Sequence, residues 1–286
     1  MKVLITGASG QLGFDIVKIL RERCAYYLGV SSNELDITDR NAVQEILSEY
    51  HPDAVLHCAA YTKVDQAEDD AEHCMRVNAD GTRNVALACQ EIGAKLLYVS
   101  TDYVFPGTGE KPWENDDLTG PLNVYGQSKL IGEQAVQELL DQYFIVRSSW
   151  IIGEHGNNFV KNMLRLAEGH DHLRVVDDQI GSPTFTADLA PLLCSMIETK
   201  RYGVYHATNE GYCSWAELAE EVFRLSRKNV TVERISTDAY GAKALRPKNS
   251  RLSKSSLDVG GFTRLPSWET SLTRLLGRGG DSEYRI

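Results

Sequence analysis

A tyrosine and a lysine four positions apart, Tyr125 and Lys129, are the residues of this sequence best suited to proton transfer. They lie in NVYGQSKLIGEQAVQELL, whose apolar spacing predicts a helix, so both side chains project from one face, one turn apart. A nearby ammonium favours phenolate, and we expect it to lower the tyrosine pKa from ~10 toward neutrality. Such a tyrosine can protonate a carbonyl oxygen as a hydride reaches its carbon. Alone, the pair is more typical of a solvated surface pair, and it is the rest of the chain that favours the catalytic interpretation.

A threonine hydroxyl precedes this helix, at the end of a predicted strand. The segment LLYVSTDYVF starts as an apolar strand over residues 96–99 and runs into Thr101. At that place the Thr101 hydroxyl can hold the same carbonyl oxygen that Tyr125 protonates. Thr101, Tyr125 and Lys129 are therefore the candidate catalytic residues.

A glycine-rich turn follows the first predicted strand, KVLIT, and opens a predicted helix. Gly7, Gly10 and Gly13 follow a G-x-x-G-x-x-G spacing, with one residue more in the first interval than G-x-G-x-x-G. Glycine permits the tight turn and lets backbone N–H groups approach a pyrophosphate at the helix N-terminus. The spacing alone is compatible with a simple turn, but its place after the first strand predicts a dinucleotide site.

The second predicted strand ends in Ser31 and Ser32, where an acidic residue would bind an NAD ribose or an arginine an NADP phosphate. Neither is there, so the sequence leaves NADH and NADPH equally open. A little further on, Asp36 with Ile37 could flank an adenine. Equally, Asp36 or Thr38 could cap the helix that follows.

Strands and helices alternate along the first half of the chain. Strands are predicted over residues 2–6, 25–30, 53–58, 96–99 and 144–147, and helices over residues 11–23, 39–50, 71–92 and 123–142. This alternation predicts an α/β fold, a Rossmann-type doubly wound parallel sheet with right-handed crossovers. A ligand then lies at the carboxyl ends of the strands, where Gly7, Ala60, Thr101 and Trp150 fall.

The pattern changes after Trp150, where short helices and strands predict a smaller mixed α/β region. We therefore divide the chain into a dinucleotide-binding domain (1–150) and a second region (151–286). Some elements of the second region are expected to return to the Rossmann domain. Its first helix is predicted to be capped by Asn157, and its last residues, RGGDSEYRI, to be a frayed tail.

Two loops are candidates for substrate contact. A Gly-, Pro- and acid-rich loop over residues 107–121 is predicted to lie over the site. A basic segment, LRPKNSRLS (residues 245–253), carries Arg246, Lys248 and Arg251. It is either a solvated loop or a clamp for a diphosphate, since arginine binds phosphate with two parallel hydrogen bonds. In the second interpretation Arg246 contacts the substrate.

Charge and composition exclude several classes of partner. With 30 basic and 40 acidic residues the net charge is −10, which disfavours nucleic acid and anionic membranes as partners. The six cysteines show no zinc or disulfide spacing and read as small buried hydrophobes. Because the cysteines lack metal-ligand spacing, we expect no metal site. Without a signal-like start or an apolar run near 18 residues, we expect a reduced, cytoplasmic protein.

Taken together, TGASGQLG, Thr101 and Tyr125-x-x-x-Lys129 resemble the extended short-chain dehydrogenase/reductase superfamily, and more narrowly the dTDP-4-dehydrorhamnose reductase family. Further matching segments extend over nearly the whole chain: LDITD, CAAYTKVDQAE, STDYVFPGTGEKPW, PLNVYGQSKLIGE, RSSWIIG, GNNFVKNMLRLA, VVDDQIGSPT and RPKNSRL. The family makes the last reduction toward dTDP-L-rhamnose, a precursor of surface polysaccharide. The resemblance therefore implies NADPH or NADH as cofactor, a nucleotide-sugar as substrate, and a mainly nucleotide-sugar-binding role for residues 151–286.

The resemblance also implies roles for individual residues. It implies Thr101, Tyr125 and Lys129 as the catalytic set, and Thr101, Asp102, Tyr125 and Trp150 near the sugar. It implies cofactor contacts by Gly10, Gln11, Leu12, Asp36, Ile37, Ala60, Tyr61 and Thr62, beside Tyr125 and Lys129. Tyr61 stands where the family often has His. Some members bind Mg²⁺ at a homodimer contact through glutamates, whose positions have no clear match here.

Three functions compete at this point. The first is a 4-keto reductase, in which Tyr125 delivers a proton and Thr101 supports the oxyanion. The second is a sugar-nucleotide dehydratase or epimerase, but dehydratases of the superfamily typically place a glutamate where this chain has Tyr103. The third is a non-catalytic subunit, as in the regulatory beta subunit of methionine adenosyltransferase. Retention of Tyr125 and Lys129 favours the reductase.

Overall fold

The structure, a computed structural model, describes residues 1–23 and 25–278. Its strands are β1 (Lys2–Thr6), β2 (Tyr26–Val30), β3 (Ala54–His57), β4 (Lys95–Thr101), β5 (Tyr143–Ser148), β6 (Ile151–Ile152), β7 (His172–Val176), β8 (Ile180–Gly181), β9 (Thr184–Phe185), β10 (Gly203–His206), β11 (Cys213–Ser214), β12 (Thr231–Ile235) and β13 (Asn249–Ser250). Its α-helices are α1 (Gln11–Glu22), α2 (Arg40–Tyr50), α3 (Val64–Ala67), α4 (Ala71–Met75), α5 (Thr82–Ile92), α6 (Val124–Leu139), α7 (Phe159–Leu166), α8 (Thr186–Ile197), α9 (Trp215–Leu225), α10 (Thr237–Tyr240), α11 (Ser255–Val259) and α12 (Trp268–Arg278).

A parallel sheet forms the centre of the described chain, with six strands in the order β2-β1-β3-β4-β5-β10. Strand β1 lies between β2 and β3, so the chain leaves β1 toward one side and later returns to the other. This reversal is the topological switch point at which open α/β sheets bind ligands. The predicted Rossmann-type doubly wound sheet is confirmed.

Helices cover both faces of this sheet, which is why its strands are almost continuously apolar. Helices α1 and α8 pack on one face, over the buried side chains of Val3, Ile5 and Leu97. Helices α2, α5 and α6 lie on the other face, where Leu4 and Tyr98 are fully buried. Each face buries one set of alternating strand residues, so neither could be exposed without loss of stability.

Two helix starts differ from the prediction. Helix α2 is capped by Asp39, whose carboxylate accepts N–H bonds from Asn41 and Ala42, so the prediction of Asp36 or Thr38 was wrong. Helix α7 is capped by Asn158, one residue after the predicted Asn157. In both cases the cap is the residue whose side chain reaches the free N–H groups of the first turn, which apolar spacing does not fix to one residue.

The predicted long helix over residues 71–92 exists but is not uniform. Between α4 and α5, Arg76–Gly81 adopts a π-helix, which adds a residue to one turn. Such bulges frequently occur at functional sites. Here the bulge brings Asn78 into a buried position between the loop after β3 and helix α6.

The C-terminal half is not a separate layer of structure. Strand β10 adds to the edge of the central sheet beside β5, and α8 packs on α1. A second apolar core lies around α7, α9 and α12. The division at residue 150 stays a prediction. The predicted tail falls almost wholly on residues 279–286, and with Cys24 these lie outside the described residues.

None of the helices in the described ranges 1–23 and 25–278 has the length and apolar character needed to cross a membrane. The five cysteines in those ranges (Cys58, Cys74, Cys89, Cys194 and Cys213) are free thiols, and all but Cys58 are buried, as the sequence predicts.

Candidate active site

The glycine turn after β1 lies against the loop after β3, at the switch point of the sheet. Gly7 has a φ of 69°, and a Cβ there would lie 2.7 Å from the Ala59 backbone nitrogen. At Gly13 a Cβ would lie 2.2 Å from the Gly7 carbonyl oxygen. Gly10 precedes α1 and makes no side-chain cap, so the first-turn N–H groups face outward for an anion such as a pyrophosphate.

Gln11 and Leu12 begin α1 directly after this turn. The Gln11 Oε1 atom accepts hydrogen bonds from the Gly153 backbone N–H at 2.9 Å and from the Asn158 amide at 3.0 Å. Leu12 is buried in the core. The Gln11 side chain is thus bonded within the protein. Because the Leu12 side chain is buried, Leu12 can contact a cofactor only through its backbone.

Asp36 and Ile37 lie beyond the end of β2. The Asp36 carboxylate accepts bonds from the Thr38 N–H at 2.9 Å and hydroxyl at 2.8 Å, and these bonds lower its pKa. Ile37 is buried, and a Cβ on Gly81 would lie 2.8 Å from it. Asp36 is exposed, so it can still face an adenine while its local bonds hold the loop.

Asn78, which our sequence analysis missed, joins the predicted cofactor loop to the catalytic helix. Its Oδ1 accepts from the Tyr61 N–H at 2.8 Å, and its Nδ2 donates to the Tyr61 carbonyl at 3.0 Å. Nδ2 also donates to the Ser128 hydroxyl at 2.9 Å, which in turn donates to the Tyr125 carbonyl. The spacing of apolar residues did not reveal the π-helix that buries Asn78, because one extra residue in a turn changes that spacing too little to be recognised.

Thr101 and Tyr125 meet at the carboxyl end of β4. The Thr101 hydroxyl lies near enough to the Tyr125 phenol to influence its pKa, and the Tyr125 ring packs edge-on against Tyr103 at 5.7 Å between centroids. Asn123 starts α6 by accepting from the Gly126 N–H at 2.8 Å, which fixes the helix turn that carries Tyr125. We call Thr101, Tyr125 and Lys129 the catalytic cluster.

The pKa of Tyr125 moves opposite to our prediction. Desolvation by the surrounding protein raises the pKa of Tyr125, and the nearby Thr101 hydroxyl only partly opposes that rise. The expected effect of the Lys129 charge is not the dominant one. Tyr125 is therefore protonated at neutral pH, which is the state a general acid needs before it donates.

Lys129 is buried beneath Tyr125, with 2% of its surface exposed. Its Nζ donates to the Val99 carbonyl at 2.8 Å and lies 4.0 Å from the centroid of the Tyr98 ring. Burial lowers the pKa of Lys129 to about 7, and the Glu133 carboxylate is the largest opposing influence. The Lys129 amine thus titrates near neutral pH rather than near 10.

Asp102 follows Thr101 and is also buried. Its Oδ1 accepts from the Thr101 hydroxyl at 3.1 Å, whereas Oδ2 has no hydrogen-bond partner among the described residues. Desolvation raises the pKa of Asp102 to about 7, against the opposing influence of Ser250 and Thr101. A buried oxygen without a partner beside the catalytic cluster is suited to accept a hydrogen bond from a sugar hydroxyl.

Trp150 lies beyond the end of β5 with a φ of 48°, which is unusual for a residue other than glycine. Its indole stacks on Trp215 at 3.6 Å between centroids and 15° between planes. Gly181 leaves room for the ring, since a Cβ there would lie 3.0 Å from it. The Trp150 indole is a flat apolar surface near the strand end, of the kind that packs against a sugar ring.

The basic side chains of this segment are not simply solvated, because each of them is bonded to another residue of the protein. Arg246 donates to both Asp65 oxygens, at 2.9 and 2.8 Å. Lys248 pairs with Asp178 at 3.0 Å, and Arg251 donates to Asn249 at 3.0 Å. The loop over residues 107–121 packs along this segment, with backbone bonds from Trp113 and to Gly107. Asp65 follows the predicted cofactor contacts Ala60, Tyr61 and Thr62 by a few residues, so Arg246 lies near the cofactor loop.

Metal-binding chemistry is not indicated by the arrangement of side chains. Across residues 1–23 and 25–278 no three His, Cys, Asp or Glu side chains gather as a metal ion would require. The function proposed for this chain therefore does not depend on the Mg²⁺ that some members of the family bind.

Comparison with known proteins places this site in a family. The RmlD substrate binding domain family matches residues 1–279. The chain belongs to this family. A dTDP-4-dehydrorhamnose reductase from Streptomyces griseus is 44% identical over 288 residues, covering 97% of this chain and 95% of the relative. The resemblance inferred from the sequence is thereby confirmed, and the predicted oxidoreductase class agrees with this relative.

Solved structures of two members superpose on nearly the entire chain. A dTDP-4-dehydrorhamnose reductase from Bacillus anthracis in complex with NADP has a TM-score of 0.95 and 45% identity, covering 97% of this chain and 99% of that one. A dTDP-4-dehydrorhamnose reductase ortholog from Clostridium acetobutylicum has a TM-score of 0.96 and 40% identity, covering 98% and 100%. The RmlD fold of this chain thus extends over both of its halves.

Proposed function

We propose that this protein reduces the 4-keto group of dTDP-4-dehydro-L-rhamnose to give dTDP-L-rhamnose for surface polysaccharide synthesis. The observation that carries the proposal is the meeting of Thr101, Tyr125 and Lys129 at a strand end beside the glycine turn. The S. griseus relative bears this enzyme name. NADPH is the proposed donor because the B. anthracis relative was crystallised with NADP, and NADH is the alternative.

The glycine turn fits a dinucleotide. Gly7 already lies against Ala59, whereas Gly10 is exposed and its Cβ would meet only the Gly7 carbonyl, at 3.2 Å. Gly7, Gly10 and Gly13 with the first-turn N–H groups of Gln11 and Leu12 would hold the pyrophosphate. Asp36 and Ile37 would flank the adenine, and Ala60, Tyr61 and Thr62 would line the path of the ribose. When bound, the nicotinamide supplies the hydride.

The catalytic cluster handles the proton and the developing negative charge. Tyr125 holds its proton at neutral pH and donates it to the 4-keto oxygen, while the Thr101 hydroxyl stabilises the oxyanion. The Lys129 ammonium holds the nicotinamide ribose and favours the phenolate that Tyr125 becomes. A buried location strengthens both interactions, because little water competes for them.

The sugar and its diphosphate are assigned to residues outside the cluster. Asp102 Oδ2 accepts from a sugar hydroxyl, and Trp150 packs against the ring. Arg246 exchanges part of its bond with Asp65 for the diphosphate, since its guanidinium is 20% exposed rather than sealed. Of the residues assigned to the nucleotide-sugar, Arg246 lies within 151–286, and the cofactor contacts fall within 1–150. The wider role of residues 151–286 in nucleotide-sugar binding stays a prediction.

The dehydratase interpretation lacks the base it needs. Tyr103 occupies the place of the expected glutamate, and burial raises the pKa of Tyr103 above its ordinary value. A phenol that stays protonated at neutral pH cannot remove a proton from carbon.

Tyr125→Phe tests the proposed function. The change removes one hydroxyl and little volume, so folding and NADPH affinity should persist. Turnover of dTDP-4-dehydro-L-rhamnose should fall by ~10²–10⁴-fold, the usual contribution of general acid catalysis. Cofactor affinity should hardly change, because the loss arises in the transition state. NADPH absorbance and sugar product are measured together, with NADH in parallel.

Tyr202→Phe is the control, since it removes a tyrosine hydroxyl that donates to Gln142 away from the catalytic cluster, and it should leave turnover within about twofold. Undiminished turnover in Tyr125→Phe would refute the assigned role of Tyr125. Release of a keto sugar without NADPH oxidation in the wild type would indicate a dehydratase. Absence of any turnover, with intact NADPH binding, would indicate a binding subunit.

A cytoplasmic location and a homodimer complete the proposal. Buried free thiols at Cys74 and Cys89 suit a reducing compartment, and NADPH is consumed there. The family resemblance motivates the homodimer, which sedimentation analysis of the purified chain would test.

A further inference from the structure

A buried carboxylate, Glu133, lies one helical turn beyond Lys129. Tyr125, Lys129 and Glu133 are each four residues apart on α6, so they share one face of the helix. Glu133 is only 1% exposed, and a carboxylate is rarely buried so completely unless it is paired. The reduction described above uses Tyr125 and Lys129 but gives no role to Glu133.

Glu133 is bound by side chains from two adjacent strands. Arg147 of β5 donates through Nε at 3.0 and 3.2 Å and through Nη2 at 2.7 Å. The Ser100 hydroxyl of β4 donates to Oε1. Arg147 is itself held by the Asn115 carbonyl at 3.0 Å and lies 5.0 Å from the Phe105 ring. Arg147 Nε, Arg147 Nη2 and the Ser100 hydroxyl thus converge on one carboxylate, while Nη1 is held by the Asn115 carbonyl.

The register of the sheet places this contact next to the catalytic cluster. Ser100 of β4 is the direct partner of Arg147 in β5, and the next pair along is Thr101 with Ser148. Glu133 therefore ties α6 to both strands one residue before Thr101. A change in this contact would shift Tyr125 relative to Thr101, although Glu133 touches neither.

We propose that Glu133 is a positioning residue for the reduction: through Ser100 and Arg147 it holds α6 where Tyr125 and Thr101 reach one carbonyl oxygen. This inference rests on the proposed function. It assigns to a buried ion pair a role in kcat as well as in stability.

The charge of Lys129 depends on groups from four elements. These groups are Tyr125 and Glu133 on α6, Tyr98 on β4, His57 and Cys58 at the end of β3, and Cys74 on α4. Burial keeps most of them neutral: it lowers the pKa of His57 to about 3 and raises the pKa of Cys58 to about 12. Glu133 is the one carboxyl group among these residues, and Arg147 donates to it directly.

A second buried carboxylate, paired with an arginine that is 38% exposed, provides a control. Asp188 of α8 is bound by Arg274 and Ser271 of α12, and its side chain is 6% exposed. The pair joins two helices as Glu133 joins a helix to two strands, but it contacts neither the glycine turn nor the catalytic cluster. Asp188→Asn should lower thermal stability and leave kcat within about twofold of wild type.

The test compares Glu133→Gln, the double variant Glu133→Gln with Arg147→Met, and Asp188→Asn. Thermal midpoint, NADPH dissociation constant, KM for the nucleotide-sugar and kcat across pH 6–9 are measured for each. Glu133→Gln leaves Arg147 buried without its partner and should be destabilised. The double variant removes both charges and should recover stability. If the single variant does not fold, the double variant carries the comparison.

We expect kcat of the double variant to stay at least fivefold below wild type, with little change in the NADPH dissociation constant. Its alkaline loss of kcat should begin at lower pH, because the carboxylate that favours the Lys129 ammonium is gone. A purely structural role predicts recovery of kcat together with stability. A kcat less than fivefold below wild type would therefore overturn the positioning role. A wild type that oxidises no NADPH would overturn the proposed function first, and this inference with it.

Discussion

Lys129 in the catalytic cluster and Arg246 in the basic segment are both proposed to contact ligands, yet the protein surrounds them differently. Lys129 is 2% exposed and pairs with a carbonyl and an aromatic face instead of a carboxylate. Arg246 is 20% exposed and makes a two-point ion pair with Asp65. Lys129 is thus buried without a direct ion pair, whereas Arg246 is partly exposed and already paired with a carboxylate.

The difference separates chemistry from binding. Burial without a direct ion pair brings the pKa of Lys129 to about 7, so its charge responds to pH and to bound groups. The Asp65 bond raises the pKa of Arg246, which stays charged throughout and can only exchange partners. Changes at the cluster should thus appear in kcat, and changes at the basic segment in KM.

Among the effects that distinguish Lys129 from Arg246, the largest should be the change of kcat/KM with pH. The Lys129 ammonium is present below a pKa of about 7 and is lost as pH rises through it. In the limit, kcat/KM falls about tenfold per pH unit above the pKa, or ~100-fold between pH 7 and 9. Lys129→Arg, which stays charged, should remove this alkaline loss. The same pH profile in both proteins would contradict the assignment to Lys129.

Gly10→Val should weaken cofactor binding by at least roughly tenfold, ~1.4 kcal/mol. The backbone at Gly10 is extended, and a Cβ meets only the Gly7 carbonyl at 3.2 Å, so the variant should fold. Its side chain would occupy the space of the pyrophosphate. Fluorescence titration with NADPH measures the change, and circular dichroism checks the fold. A folded variant with wild-type affinity would remove this turn from the site.

Arg246→Ala should raise KM for the nucleotide-sugar by about tenfold and leave the NADPH dissociation constant unchanged. A charged contact of this kind is worth a few kcal/mol when buried, and the partial exposure of Arg246 reduces that figure. Steady-state kinetics at saturating NADPH give KM. Arg201→Ala, which alters a distant arginine bound to the Gly260 and Gly261 carbonyls, is the control. Equal KM values in all three proteins would leave the basic segment without a substrate role.

The smallest effect is expected for Asp65→Asn, which weakens the competitor for Arg246. If the diphosphate and Asp65 share the guanidinium, KM should fall by about two- to threefold, within the range of partly exposed ion pairs. The same change in an Arg246→Ala background should have no effect on KM. A rise in KM for Asp65→Asn would show that Asp65 orients Arg246 rather than competing with the substrate.

Much of the N-terminal half could be predicted from the sequence because its signals are local. The glycine turn, the strand that ends in Thr101 and the Tyr125–Lys129 spacing each lie within a few residues, and the structure brings them to one edge of the sheet. The pairs Arg246–Asp65 and Arg147–Glu133 could not be predicted, because they depend on strand register and loop packing between distant segments. Neither spacing nor composition encodes which carboxylate an arginine meets.

The pKa of Tyr125 was mispredicted for a physical reason. The sequence shows that a lysine is nearby, but it does not show how far the site is removed from water. In the structure desolvation outweighs the neighbouring charge, at Tyr125 as at Asp102. Burial is a property of the whole fold, so a short motif cannot supply its magnitude.

Strand β10 has a consequence for synthesis of the chain on the ribosome. Until residues 203–206 emerge, β5 is an unpaired edge of a flat, apolar parallel sheet, and the face that α8 later covers is bare. A nascent chain at that stage exposes the surface that chaperones bind and that aggregation uses. A fragment ending near residue 150 should therefore precipitate or remain chaperone-bound, whereas one extended past β10 and α11 should become protease-resistant.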